Sequence, residues 1–199
     1  MNGYSDRINH ALAFAAKHHD QQVRKGTRLP YVTHAANVAI ILTRYGQDES
    51  TVVAGILHDV VEDCVRDGWT YAMLESRIGE KFGTEVLATS LAVTKRRLDD
   101  DGNEMDRDQR QDDYLGRLVA ADAPARWVCA AARVHDGNSI LADLRRTMDP
   151  TSAWGRMAGG REAAVAAFRV IYDKLASVGF TEPIMTEFRA MVEELEAHK

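Results

Sequence analysis

Residues 55–63, GILHDVVED, place four ionisable side chains inside a strongly apolar run. At about 100° per residue on a helix, His58, Asp59, Glu62 and Asp63 fall within an arc of roughly 140°, and Val53, Ile56, Leu57, Val60 and Val61 fill the opposite side. One side is suited to a core. The other crowds three carboxyls and an imidazole, which raise one another's pKa values unless a cation sits among them or water screens them. The motif therefore calls for a metal, a substrate or open solvent.

Helical spacing continues in both directions. Upstream, Asp48 suits the cap of the helix carrying the motif, and residues 31–45 form a helix with Ala35, Val38, Ala39 and Leu42 on one face, His34 near its start and Gly46 at its end. Before it, Ser5 or Asp6 caps a helix bearing Ile8, Leu12 and Ala15, which ends before the polar turn 21–30. Downstream, Asp67-Gly68 closes the motif helix, Thr70 opens one through Phe82, and residues 86–93 begin another. Residues 95–113 are almost wholly charged and read as a mobile, solvated excursion. Helical spacing resumes over 114–120. Pro124 then suits the start of a long helix, with 127–144 rich in small residues and containing Arg133, His135 and Asp136, and Pro150 stops it. Two more helices cover 161–178 and 183–196. Alternating strand patterns are missing, so the expected fold is all-α, without internal repeats.

With 199 residues, 45% of them hydrophobic, the chain can bury a sizeable core, and a single domain spanning residues 1–199 is expected. A net charge of -5 disfavours a nucleic-acid partner and favours a small molecule. Cys64 and Cys129 alone give neither a disulfide framework nor a paired-cysteine zinc motif. The N-terminal MNGYSDRINH lacks an apolar signal core, and no apolar run approaches the roughly eighteen residues that span a bilayer. A cytoplasmic protein with no membrane contact is the expectation. An apolar helix face serves core and oligomer interface equally, so the oligomeric state stays open.

Hydrolysis at a metal needs ligands that leave a position for water and an acid/base near the leaving group. His34 together with His58-Asp59 offers two imidazoles and a carboxylate, and Glu62 and Asp63, one turn on, can act as acid/base groups outside that set. A fourth ligand is expected from a later helix. His18 and His19 fit a helix end, where cationic side chains are favourable, and Trp127, Phe168 and Tyr172 fit a core.

The segments RKGTRLPYVTHAANVAIIL (24–42), GILHDVVED, FG (82–83) and VTK (93–95) resemble, in order and spacing, the HD-type hydrolase domain of the RelA/SpoT family, and more specifically the small alarmone hydrolases. The likeness runs from the first helix to about Leu175. It implies a helical, Mn2+-dependent enzyme that removes pyrophosphate from the 3′ position of (p)ppGpp. It also implies metal ligation by His34, His58 and Asp59, a catalytic acidic pair in Glu62 and Asp63, and nucleotide contacts from Arg24, Lys25, Thr94 and Lys95. The family's later helix carries a Lys-x-x-Asp-x-x-x-Asn pattern. One register sets Cys129, Ala132 and Asp136 on its Lys, metal Asp and Asn, while another sets Asp136 on the metal Asp, which makes Asp136 a candidate fourth ligand. Two alternatives follow: turnover of another phosphorylated nucleotide such as NADPH, or a regulatory nucleotide-binding protein whose turnover is lost through Ala132.

Overall fold

Local capping chemistry sets five helix starts: the side chains of Ser5, Asp48, Thr70, Asp106 and Asp122 each accept from the amide three residues on. The computed structural model describes residues 3–24, 27–65, 68–157 and 159–198. In chain order its helices are α1 (Asp6–His18), α2 (Val32–Arg44), α3 (Glu49–Leu57), α4 (Val60–Asp63), α5 (Tyr71–Phe82), α6 (Thr84–Ala92), α7 (Arg107–Ala120), α8 (Ala123–Arg146), α9 (Pro150–Trp154), α10 (Gly160–Ser177) and α11 (Pro183–Ala197). Among the described residues the only β pairings are the isolated bridges Val23 to Pro30 and Leu98 to Glu104. The fold is all-α. No helix among the described residues is long and apolar enough to cross a membrane.

The longest helix, α8, is the axis of the packing and contacts α2, α3, α6, α10 and α11. Its middle is apolar nearly all round, with Val128, Cys129, Ala130, Ala131 and Ala132 at 1% exposure or less, which is the signature of a core helix. Small residues allow close approach. A Cβ at Gly137 would collide with Met191 of α11, and one at Gly55 would collide with Leu42 of α2. The contact at Gly55 lets α2 and α3 approach, and with them the two segments that carry His34 and His58.

Three sequence expectations change. The motif does not ride on one unbroken helix: α3 stops at Leu57 and α4 starts at Val60. The helix expected from residue 114 begins seven residues earlier, on a full capping box between Asp106 and Gln109. Pro150 does not stop α8, which ends at Arg146; it opens α9 in the first-turn position where its missing N–H is harmless.

The charged excursion is also tied down. Arg96 and Arg117 both bond Asp113, and Arg117 reaches the carbonyls of Leu91 (2.8 Å) and Thr94 (2.5 Å). The Leu91 carbonyl is in the last turn of α6 and that of Thr94 lies just beyond it, so a guanidinium from α7 caps the helix. The tip closes on itself, with Asp99 accepting from the amides of Asp101 and Asn103.

Candidate metal centre

The turn before α2 is a tight loop in which Arg24 N–H donates to the Leu29 carbonyl (2.8 Å) and Tyr31 N–H to that of Gln22 (2.9 Å). It brings Arg24 and Tyr31 to the start of α2, where His34 sits in the first turn, 2% exposed. Lys25, the other half of the expected basic pair, lies outside the described residues.

At the α3–α4 junction the His58 ring turns back and donates Nδ1–H to the Gly55 carbonyl (2.8 Å). A side chain thereby takes a carbonyl of the helix's last turn, a competition that favours a break. From below, the Thr94 hydroxyl lies 2.9 Å from the Ser90 carbonyl and 3.3 Å from that of His58. Thr94, an expected substrate contact, is 3% exposed, and its hydroxyl is engaged beneath the motif.

These supports fix what faces what. A carbonyl only accepts, so His58 carries its proton on Nδ1 and presents a lone pair on Nε2. That Nε2 is 3.1 Å from Asp59 Oδ1 and 3.4 Å from His34 Nε2, and His34 Nε2 is 3.5 Å from Asp59 Oδ2. Burial alone would raise the Asp59 carboxyl, but His58, His34 and the Tyr31 hydroxyl at 2.6 Å outweigh it and hold it below the usual range. Burial pushes His34 down to about 3, against the pull of Asp136 and Asp59, so the ring is neutral. Two imidazole nitrogens and a carboxylate converging in a buried site make a donor set that a cation can join. His34, His58 and Asp59 thus fit a divalent metal by donor type and by mutual distance, all within 4.8 Å.

The acidic pair divides. Glu62 is half-buried and accepts from the Lys95 amide (2.7 Å); burial raises its pKa first, with Asp59 and Asp63 adding to the shift. Asp63 is exposed at the mouth, where reduced hydration and the charge of Asp59 raise it as well. The Lys95 ammonium lies over the Tyr114 ring, and burial, then Arg133, lower its pKa.

Asp136 stands on the far side of His34. It accepts from Arg24 (2.5 Å) and Arg133 (3.2 Å) and lies 3.3 Å from His34 Nδ1. Burial would raise its carboxyl, but His34, Arg133 and Arg24 hold it low and ionised. His135 joins at 2.8 Å from the same His34 nitrogen. His34, His135 and Asp136 form a second donor cluster sharing one ring with the first. Sequence reasoning gave no role to His135 or Tyr31. The signal for the former was a further His-Asp dipeptide in the chain; the latter had none, because its role depends on a contact 28 residues away.

A cleft of about 760 Å³ opens from this region, lined by Arg24, Tyr31, Asp63 and Asp136 and further along by Arg146 and Phe168. It follows one face of α8 from His135 to Arg146, roughly 17 Å at 1.5 Å per residue. Phe168, expected in the core, is buried and also forms part of this wall.

An HD-domain family profile matches residues 11–151. The chain is 38% identical over 78 residues to a guanosine-3′,5′-bis(diphosphate) 3′-pyrophosphohydrolase of Aquifex aeolicus, covering 39% of the chain and 11% of that relative. It is 31% identical over 138 residues to a GTP pyrophosphokinase of Myxococcus xanthus, covering 68% and 17%. The chain thus spans less than a fifth of the length of these curated relatives. Among solved structures, a metazoan ortholog of SpoT, described as hydrolyzing ppGpp and acting in starvation responses, superposes with a TM-score of 0.72 at 20% identity over 96% of both chains. A Listeria monocytogenes structure gives 0.64 at 23% identity, covering 83% of this chain and 97% of that one. The family match, extending over more than two thirds of the sequence and including the helix break and its donors, identifies the chain as a member of the HD-domain family.

Proposed function

We propose that the chain is a metal-dependent phosphohydrolase that releases pyrophosphate from the 3′ position of guanosine 3′,5′-bis(diphosphate), with Mn2+ as its ion. The observation that carries this reading is the convergence of His34 Nε2, His58 Nε2 and the Asp59 carboxylate in one buried site beside a cleft bearing Arg24. The names of the Aquifex relative and the metazoan neighbour support the choice of substrate.

A divalent ion in this donor set supplies Lewis acidity, which makes water nucleophilic near neutral pH and offsets phosphate charge. The chain's own residues do the rest. Arg24, Lys25 and Lys95 are assigned to the phosphates, the arginine through its fork of donors. Glu62, with a raised pKa, holds or releases the proton near the reacting centre, and Asp63 at the mouth is its acidic partner. Tyr31 and Thr94 hold Asp59 and His58 in place.

A second reading rests on Ala132, 1% exposed where the family pattern has an Asp, and on Asp136 being engaged by two arginines. It is a nucleotide-binding protein without turnover. Purified protein with ppGpp and Mn2+ should release pyrophosphate, and Asp59→Ala should abolish the release. Phosphate release from NADPH in preference would move the substrate assignment. Tight nucleotide binding with no product across several divalent ions would favour the second reading.

A further inference from the structure

His34 is approached by a His-Asp pair on each side. His58 and Asp59 face its Nε2, at 3.4 and 3.5 Å; His135 and Asp136 face its Nδ1, at 2.8 and 3.3 Å. A neutral imidazole has one proton, and the two edges compete for it. On the Nε2 edge the acceptors stand at 3.4 and 3.5 Å, the outer limit of a hydrogen bond, so a proton there is weakly held. The Nδ1 edge offers an imidazole nitrogen and an anionic carboxylate as acceptors, and its continuation is complete: His135 Nε2 is 3.4 Å from the Ser139 hydroxyl, which is 2.8 Å from the His135 carbonyl.

Asp136 is also poorly placed to be a ligand. Arg24 holds its Oδ1 and Arg133 its Oδ2, so turning either oxygen onto an ion would cost a charge-assisted hydrogen bond in a mostly buried setting. Its nearest contact with the first cluster runs through the His34 ring.

We propose that His135–Asp136 is a positioning pair for His34, which accepts the Nδ1 proton and leaves the Nε2 lone pair aimed at the ion, and that Asp136 is not itself a ligand. The proposal rests on the reading of His34, His58 and Asp59 as metal ligands. A carboxylate or imidazole behind a ligating histidine fixes its tautomer and strengthens it as a donor. With Ala132 contributing no oxygen, that reinforcement is how a three-donor set holds its ion.

Long-range proton–nitrogen correlation spectra of the metal-free wild-type protein, with the His34 signals assigned by a His34→Gln variant, read the tautomer directly. The expected result is a proton on Nδ1 and a bare Nε2. In Asp136→Ala and in His135→Phe the Nε2–H form should grow, and Mn2+ affinity by calorimetry should fall about tenfold to a hundredfold. Asp136→Asn keeps an accepting oxygen and should lose less than Asp136→Ala, which separates positioning from a folding defect. A proton on Nε2 of wild-type His34 would overturn the proposal, as would unchanged Mn2+ affinity in both truncations, or a Mn2+-soaked crystal with Asp136 or His135 bound directly. No Mn2+ binding by wild type would instead sink the metal-centre reading.

Discussion

His58–Asp59 and His135–Asp136 are the same dipeptide set in different backbones. The first lies where α3 breaks, with its imidazole 3% exposed, Nδ1 tied to the Gly55 carbonyl and Asp59 steadied by the Tyr31 hydroxyl. Its remaining atoms are lone pairs, and they face another lone pair. The second lies inside the unbroken α8, half-buried, with its carboxylate between two guanidiniums. Donor chemistry is thus decided by what the other atoms of each side chain already bind, and the dipeptide alone does not carry it.

The largest expected effect tests that difference directly. Asp59→Ala should remove Mn2+ binding and lower ppGpp turnover by more than about 10³-fold, since it takes away one of three donors and the activation they support. If Asp136→Ala costs as much in both assays, the two pairs are equivalent and the contrast fails. Next comes Glu62→Gln, one turn beyond the first pair. It should lower kcat by about 10² to 10⁴-fold at neutral pH while leaving Mn2+ affinity and KM near wild type, as for a lost acid/base. A matching fall in Mn2+ affinity would make Glu62 a ligand.

How much of this was legible beforehand follows from particular residues. Ser5, Asp48 and Thr70 marked helix starts because a cap acts on an amide three residues away, within the same short window. The start of α7 was not seen because RDQRQDD has no apolar residue to show a period, although Asp106 and Gln109 held the capping-box signal. The break at His58 was invisible: apolar residues continue on both sides, and the support comes from Thr94, 36 residues away. His34, His58 and Asp59 were readable as a donor set by residue type, and the structure brings them together. The setting of Asp136 and His135 depends on partners 112 and 101 residues distant, Arg24 and His34, which no local pattern encodes.

Acid sensitivity sharpens the comparison further. His34 has its pKa pushed from 6.5 down to about 3 by burial, so between those values the unfolded chain binds a proton that the fold does not. Stability must then fall as pH drops from 6.5 toward 3, by about 1.4 kcal/mol per pH unit for this one group. Urea unfolding of metal-free protein at pH 7, 6 and 5 should show that slope, and His34→Gln should flatten it by about one proton. A variant with the wild-type slope would place the sensitivity elsewhere.

The smallest effect belongs to Tyr31→Phe, which deletes only the hydroxyl on Asp59. Calorimetry should show a loss of Mn2+ affinity of about tenfold. A loss as large as that of Asp59→Ala would mean that the hydroxyl acts on more than the orientation of Asp59.

The clasp at Asp113 has a practical consequence. Arg96 gathers one end of the acidic excursion and Arg117 the other, and the tip is closed by Asp99 and Asn103. Gly102 has open space around it. Extra chain threaded in there lengthens a loop whose ends are already held, and each doubling of loop length adds only about 0.6 kcal/mol of closure entropy. Residues 100–103 are therefore where a tag or a fluorescent reporter can be grafted while Lys95 and Glu62 keep their contact.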